Sequence, residues 1–140
     1  MHLDQQICFP LYAVSRLVIK LYQPVLSELG LTYPQYLVLL SLWEKDHKTV
    51  TALSTQLLLE SNTLTPLLKR LAEKKLVTRK RSAKDERSTI ISLTAPGKTL
   101  QKKALGVPQH VIRCLHFEDL GHKEIIAMRK TLNSLLTKLR

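Results

Sequence analysis

The chain has 140 residues, 44% of them hydrophobic, with four glycines and six prolines; this fits one domain over residues 1–140 that buries a real core and leaves little room for linkers. No apolar run approaches the ~20 residues that span a bilayer, and no basic start followed by an apolar stretch marks a signal peptide, so a cytoplasmic protein with no membrane partner is expected. Two cysteines, Cys8 and Cys114, with no CxxC pair exclude a disulfide framework and a structural zinc site, and the net charge of +11 favours a polyanionic partner.

Leu11, Val14, Leu17, Val18 and Leu21 recur at helical spacing and predict a first helix from about Asp4 to Gln23, with Pro10 awkward in its first turns and Pro24 ending or bending it. Gly30 closes the next segment. Thr32 reads as the N-cap of a second helix, Pro34 to Glu44, whose nearly all-apolar composition places it centrally. Val50 to Leu58 reads as a short helix, Glu60 to Asn62 as a turn, and Thr63 to Lys75 as a helix with Leu64, Leu67, Leu68 and Leu71 on one face. Leu76 to Lys80 and Ser88 to Leu93 alternate as two strands around a polar tip from Arg81 to Arg87. Thr94 to Gly97 reads as a break. Lys98 to about Cys114 follows as a helix interrupted near Gly106 and Pro108, and Glu118 to Leu139 as a final amphipathic helix.

Two short helices followed by a basic hairpin form the order of parts in a winged helix-turn-helix, so the expected fold class is mainly α with a small β wing. Residues of about 31–97 make the winged module, while about 1–30 and 98–140 supply dimerisation helices. The helix from Thr63 anchors by its leucines and turns short polar or basic side chains outward. Ser61, Asn62, Thr63 and Thr65 lie where helix N–H groups favour phosphate, with Pro66 in the first turn at no cost in hydrogen bonds, and Lys69 and Arg70 follow. Between Lys69 and Arg87 nine basic residues face three acidic ones, more than half of the net charge in one stretch. Arg81, Lys84, Asp85 and Arg87 carry the wing: Arg87 suits a narrow minor groove, and Asp85 pairs with it or with a neighbour to fix its direction. The terminal helices have apolar faces beyond what a small winged domain covers. Two-fold pairing buries them and spaces two recognition helices about one DNA turn apart, matching a palindromic operator in double-stranded DNA.

Cys8 is open on residue grounds. A helix N-terminus favours its thiolate, while Ile7 and Phe9 oppose it, and a lone cysteine is ordinarily a small buried hydrophobe.

The helix-turn-helix followed by "RKRSAKDERSTIISLTAPG" resembles the multiple antibiotic resistance regulator (MarR) family, whose wing carries an acidic residue and an arginine two apart, here Asp85 and Arg87. "LDQQICFPLYAVSR" and "LGLTYPQYLVLLSLWE" resemble its thiol-based branch, the organic hydroperoxide resistance regulators. The resemblance implies a dimeric winged-helix repressor in which Cys8, inside "QICFPLY", senses organic peroxide. It also implies supporting phenols at Tyr12, Tyr22 and Tyr33, the last two reaching the sulfur from the other subunit. Branch members with a second cysteine imply Cys114 as the partner of an intersubunit disulfide.

The expected function is therefore a DNA-binding regulator released from its operator by oxidation of Cys8. Alternatives left open are a MarR-type regulator answering a phenolic ligand and a thiol peroxidase. No phosphate-binding glycine loop and no paired carboxylates on one helix point to an enzyme, and the five histidines are scattered; no cofactor and no metal are expected.

Overall fold

The computed structural model describes every residue except Met1, Lys84, Glu86, 116–120 and Arg140. A 3-10 turn at Leu3–Gln5 leads into α1 (Cys8–Glu28), α2 (Tyr33–Glu44), β1 (Lys48–Thr49), α3 (Val50–Leu57) and α4 (Ser61–Glu73); β2 (Val77–Arg81), β3 (Thr89–Leu93), α5 (Ala95–Ala104), α6 (Val107–Cys114) and α7 (His122–Leu139) complete the chain. A mostly helical fold with one small antiparallel sheet, the expected class, is what the chain adopts. Two compact units are present, one of Met1–Leu21 with Val107–Arg140 and one of Tyr22–Gly106. No described helix is long and apolar enough to cross a membrane.

Within Tyr22–Gly106, α2 is central and touches α3, α4, α5 and β3. Its Tyr36, Val38, Leu39 and Leu42 are buried, as are Leu64, Leu67, Leu68 and Leu71 of α4. Each such leucine contributes about 2 kcal/mol through the apolar area it hides from water. The sheet runs β1-β3-β2, with Lys48 opposite Ile91 and Arg79 opposite Ile91 on its other side. β1 has no counterpart in the sequence reading, because two residues are too few to show alternation.

Helix limits differ from the sequence reading for identifiable reasons. α1 starts at Cys8, so Pro10 is its third residue; the first four N–H groups of any helix lack an internal partner, and the ring costs nothing there. Pro24 does not end α1, which continues to Glu28. The real end is built by Gly30 at φ 66°, with the N–H of Gly30 donating to Ser27 and that of Leu31 to Leu26. That is a Schellman closure, which needs a left-handed residue at this step. Ser61 and Asn62, expected in a turn, are the first residues of α4. Pro66 is consequently sixth in the helix, not in its first turn, and leaves the Asn62 carbonyl without its i+4 donor. Ala95 to Gly97, expected as a break, is the first turn of α5, capped by Thr94 Oγ1, which accepts from Gly97 N–H at 3.1 Å.

α4 closes in the same way as α1, with Lys75 N–H donating to Ala72 and Leu76 N–H to Leu71, but the left-handed residue is Lys75 at φ 58°. An L side chain in this region costs about 1 kcal/mol. Lys75→Gly is expected to raise the unfolding free energy by about 0.5 to 1 kcal/mol in urea titration. A variant no more stable than the parent rules this strain out.

In the other unit, α6 buries Val107 and Val111. α1 exposes Phe9, Leu11, Val14 and Leu17, and α7 exposes Ile126, Met128, Leu132, Leu135 and Leu136.

Candidate nucleic-acid interface and thiol site

α4 presents Ser61, Asn62, Thr63, Thr65, Lys69 and Arg70 to solvent, opposite its buried leucine stripe. Glu60 provides no side-chain cap; its carbonyl accepts from the N–H groups of Thr63 and Leu64, which leaves those of Ser61 and Asn62 for an anion. Thr65 turns its hydroxyl proton to the Ser61 carbonyl at 2.7 Å and keeps its oxygen lone pairs outward. Among the described residues no ion pair engages Lys69, Arg70, Arg79, Lys80, Arg81 or Arg87.

α3 is tied to α2 by Lys48. Its ammonium donates to Ser41 Oγ at 2.9 Å and Gln56 Oε1 at 2.7 Å, joining α2, β1 and α3. The wing is held at its base by Asp46, whose Oδ1 accepts from the N–H groups of His47 and Leu93, both at 2.8 Å. Burial of Asp46 opposes ionisation, but these two N–H groups and the charges of His47 and Lys98 outweigh it and hold the carboxyl below its ordinary value. Trp43 Nε1 donates to the Gly97 carbonyl at 3.0 Å and fixes α5 against α2.

At the wing tip Asp85 pairs with neighbouring groups rather than with the Arg87 guanidinium. Its Oδ2 accepts from Ser88 Oγ at 2.6 Å and its Oδ1 from Arg87 N–H at 3.0 Å, while its carbonyl accepts from Ser88 N–H. Ser88 first, and Arg87 N–H second, lower the Asp85 pKa. The carboxylate sets the backbone from which Arg87 projects, and among the described residues no carboxylate pairs with the guanidinium. Lys84, also expected at this tip, lies outside the described residues.

Cys8, the first residue of α1, and Cys114, the last of α6, are exposed free thiols. Cys114 Sγ lies 3.6 Å from His110 Nε2. Tyr12, one turn beyond Cys8, accepts a hydrogen bond from Arg16 Nη1 at 2.9 Å and keeps its own proton to donate. These five residues belong to the unit of terminal helices, and the other expected phenols to the winged unit. Tyr22 and Tyr33 pack with ring centroids 4.8 Å apart. Burial raises both phenol pKa values, and the neighbouring Tyr22 raises that of Tyr33 further, so both are neutral donors at ordinary pH. No hydrogen bond among the described residues occupies either hydroxyl.

Tyr36 is a third member of this cluster, 6.1 Å from Tyr22 and edge-on to Trp43 at 6.2 Å. The sequence reading assigned it to the core alone. The available signal was its place three residues after Tyr33, on the same helix face. Among the described residues no three His, Cys, Asp or Glu side chains converge as a metal site.

Comparison with known proteins bears on the identity of this architecture. The profile of the family described as "Transcriptional regulator SarA/Rot" matches residues 20–104. The organic hydroperoxide resistance transcriptional regulator of Bacillus subtilis (strain 168) is 52% identical over 139 residues, covering 99% of this chain and 92% of the relative. Reduced AbfR bound to DNA superposes with a TM-score of 0.81 at 40% identity, over 98% of this chain and 94% of that one; AbfR is a protein of Staphylococcus epidermidis. The disulfide form of AbfR superposes with a TM-score of 0.64 at 39% identity, over 98% and 89% of the two chains. Taken with the helix pair α3–α4 and its basic hairpin, these likenesses establish that the chain belongs to the MarR-type winged-helix transcriptional regulators, beside the regulators of organic hydroperoxide resistance.

Proposed function

We propose that the protein is a homodimeric repressor that holds a palindromic operator while Cys8 is reduced and releases it when an organic hydroperoxide oxidises Cys8. The observation that carries this reading is an exposed free thiol opening α1 in a chain that shares half its residues with an organic hydroperoxide resistance regulator. Duplex binding is supported by the cations of α4 and the wing, and by the DNA-bound state of the similar AbfR. Dimerisation is supported by the exposed apolar rows of α1 and α7, which exceed what a soluble monomer ordinarily shows.

The Cys8 thiolate attacks the terminal peroxide oxygen. The O–O bond breaks, the alkoxide leaves and takes up a proton as the alcohol, and Cys8 becomes a sulfenic acid. Phenol donors at Tyr22 and Tyr33 of the other subunit, with Tyr12, stabilise the thiolate before attack. The Cys114 thiolate then attacks the sulfenic sulfur, an S–S bond forms and water departs. Crosslinking Cys8 of one subunit to Cys114 of the other shifts the winged units and frees the DNA. A disulfide form of the similar AbfR supports this last step.

The test uses genomic fragments selected by the reduced protein, with affinity measured before and after one equivalent of cumene hydroperoxide. The parent is expected to lose at least about tenfold in affinity, a coupling of ordinary size between two sites. Cys8→Ser is expected to bind as tightly as the reduced parent and to ignore peroxide. Release of the serine variant by peroxide defeats thiol sensing at this position. Non-reducing electrophoresis of the oxidised parent is expected to show a covalent dimer, absent in Cys114→Ser.

A further inference from the structure

The winged unit contains a connection between the phenol cluster and α4 that passes through one ammonium group. Lys74 follows the last residue of α4. Lys74 is exposed, but its Nζ is engaged by the protein. It donates to the Gly30 carbonyl and to Gln35 Oε1, the latter at 3.2 Å. Gly30 is the left-handed residue that closes α1, the helix that carries Tyr22. Gln35 is 3% exposed, and its Oε1 also accepts from Thr32 N–H at 3.1 Å, which ties down the start of α2. Tyr33 lies between Thr32 and Gln35, with its ring against Tyr22. Lys74 therefore grips both sides of the α1–α2 turn, one through Gly30 and one through Gln35. A shift of Tyr33 moves Thr32, and Thr32 shares the Gln35 oxygen with Lys74.

No carboxylate among the described residues pairs with Lys74. Within the protein its charge meets carbonyl dipoles, those of Gly30 and Gln35, and such bonds follow the geometry of the turn. Position also matters. The Lys74 contacts lie at the C-terminal end of α4, and Thr32, Pro34 and Gln35 also line one cavity with Thr63, Pro66, Leu67 and Arg70, so the turn and α4 are neighbours along much of the helix.

We propose that Lys74 is the positioning residue that transmits a displacement of Tyr22 and Tyr33 to the recognition helix, and so sets how strongly the state of the phenol cluster changes DNA affinity. The inference rests on the redox reading only for what displaces the phenols. Lys74 does not touch DNA in this role. Its variants alter the response to oxidation and leave the count of phosphate contacts alone.

The experiment measures DNA affinity across a salt series for the parent and Lys74→Met, each reduced and peroxide-treated. The expected result is an unchanged salt slope in the reduced state and a ratio of oxidised to reduced dissociation constants reduced by about threefold or more. A salt slope lowered by about one with the ratio intact makes Lys74 a phosphate contact and overturns the proposal. An unchanged slope with an unchanged ratio overturns it too. A second arm needs no oxidant: reduced-state affinities of Tyr33→Ala, Lys74→Met and the double variant form a cycle. Non-additivity of about threefold or more is expected, and additivity overturns the coupling. If the parent ignores peroxide, the redox reading falls and this cycle alone decides the role of Lys74. Should Lys74→Met fail to fold, Gln35→Met removes the shared acceptor and replaces it in both arms.

Discussion

Replacing Gly97 with alanine is expected to destabilise the protein by more than about 3 kcal/mol, the scale of forced overpacking at a closed backbone contact. A Cβ on Gly97 is driven into the carbonyl oxygen of Leu76 and against Leu93 Cδ2. Neither the Leu76 backbone nor α5 is free to retreat. The same Leu76 oxygen accepts from Thr94 N–H at 3.1 Å, and the Gly97 carbonyl accepts from Trp43 Nε1 at 3.0 Å. Gly97 therefore sits where the first turn of α5 crosses the root of β2, and the need is for space rather than for an unusual backbone angle. Gly106→Ala is the matched control, because an added Cβ there meets nothing within 4 Å. Urea and thermal unfolding at fixed protein concentration separate the two. Gly97→Ala is expected to melt roughly 10 °C lower, given about 3 °C per kcal/mol at this chain length, and Gly106→Ala within about 2 °C of the parent. Equal melting of the two variants disproves the packing argument.

Gly97 also shows why some of this fold was readable from sequence and some was not. Helices with a one-sided apolar rhythm, such as Leu64, Leu67, Leu68 and Leu71 of α4, announce both their type and their buried face, because burial dictates the spacing. Gly30 was legible as a closing residue, since a left-handed closure favours glycine, but the helix it closes is α1 itself and not a separate segment after Gln23. The matching closure at Lys75 was not, because a lysine there carries no such mark. Short-range rules also failed where a proline competed with tertiary packing. Pro24 lies within α1 and Pro66 within α4; α4 survives the loss of one hydrogen bond because its leucine face is buried, and α1 continues past Pro24 to the buried Leu26.

The candidate site divides along the same line. Asp85 and Arg87 could be read as a pair because their contact is local, two residues apart. Tyr36 joining Tyr22, Asp46 reaching Leu93 and Lys74 reaching Gly30 are contacts between distant segments, and nothing in one segment's composition names the other.

Arg87→Ala is expected to weaken DNA binding by at least about tenfold while leaving the melting temperature unchanged, on the usual cost of about 1 to 3 kcal/mol for a specific arginine contact and with one wing in each subunit of the proposed dimer. The asymmetry between affinity and stability follows from the geometry. The guanidinium forms no ion pair among the described residues, so the folded state loses nothing when it is removed. The turn stays intact, since Asp85 binds the Arg87 main-chain N–H and both the hydroxyl and the N–H of Ser88, and none of these bonds uses the Arg87 side chain. Asp85→Ala removes the acceptor of both side-chain bonds and is expected to reduce affinity as well, by loosening the direction of Arg87. Because its neighbours lower the Asp85 pKa, this support is complete above the ordinary aspartate range near pH 4 and is lost only as the pH falls through the lowered value. The contribution of the tip to binding should accordingly be flat from about pH 8 to pH 5. Lys69→Ala is the comparison: a phosphate contact from α4 should lower the salt slope by about one and weaken all sequences alike. Arg87→Ala in a narrow minor groove should weaken A·T-rich flanks most, where the groove is tightest and its potential most negative. Equal affinity of Arg87→Ala and the parent for the selected fragments at low salt removes the wing from the binding mode and leaves α4 to hold the duplex alone.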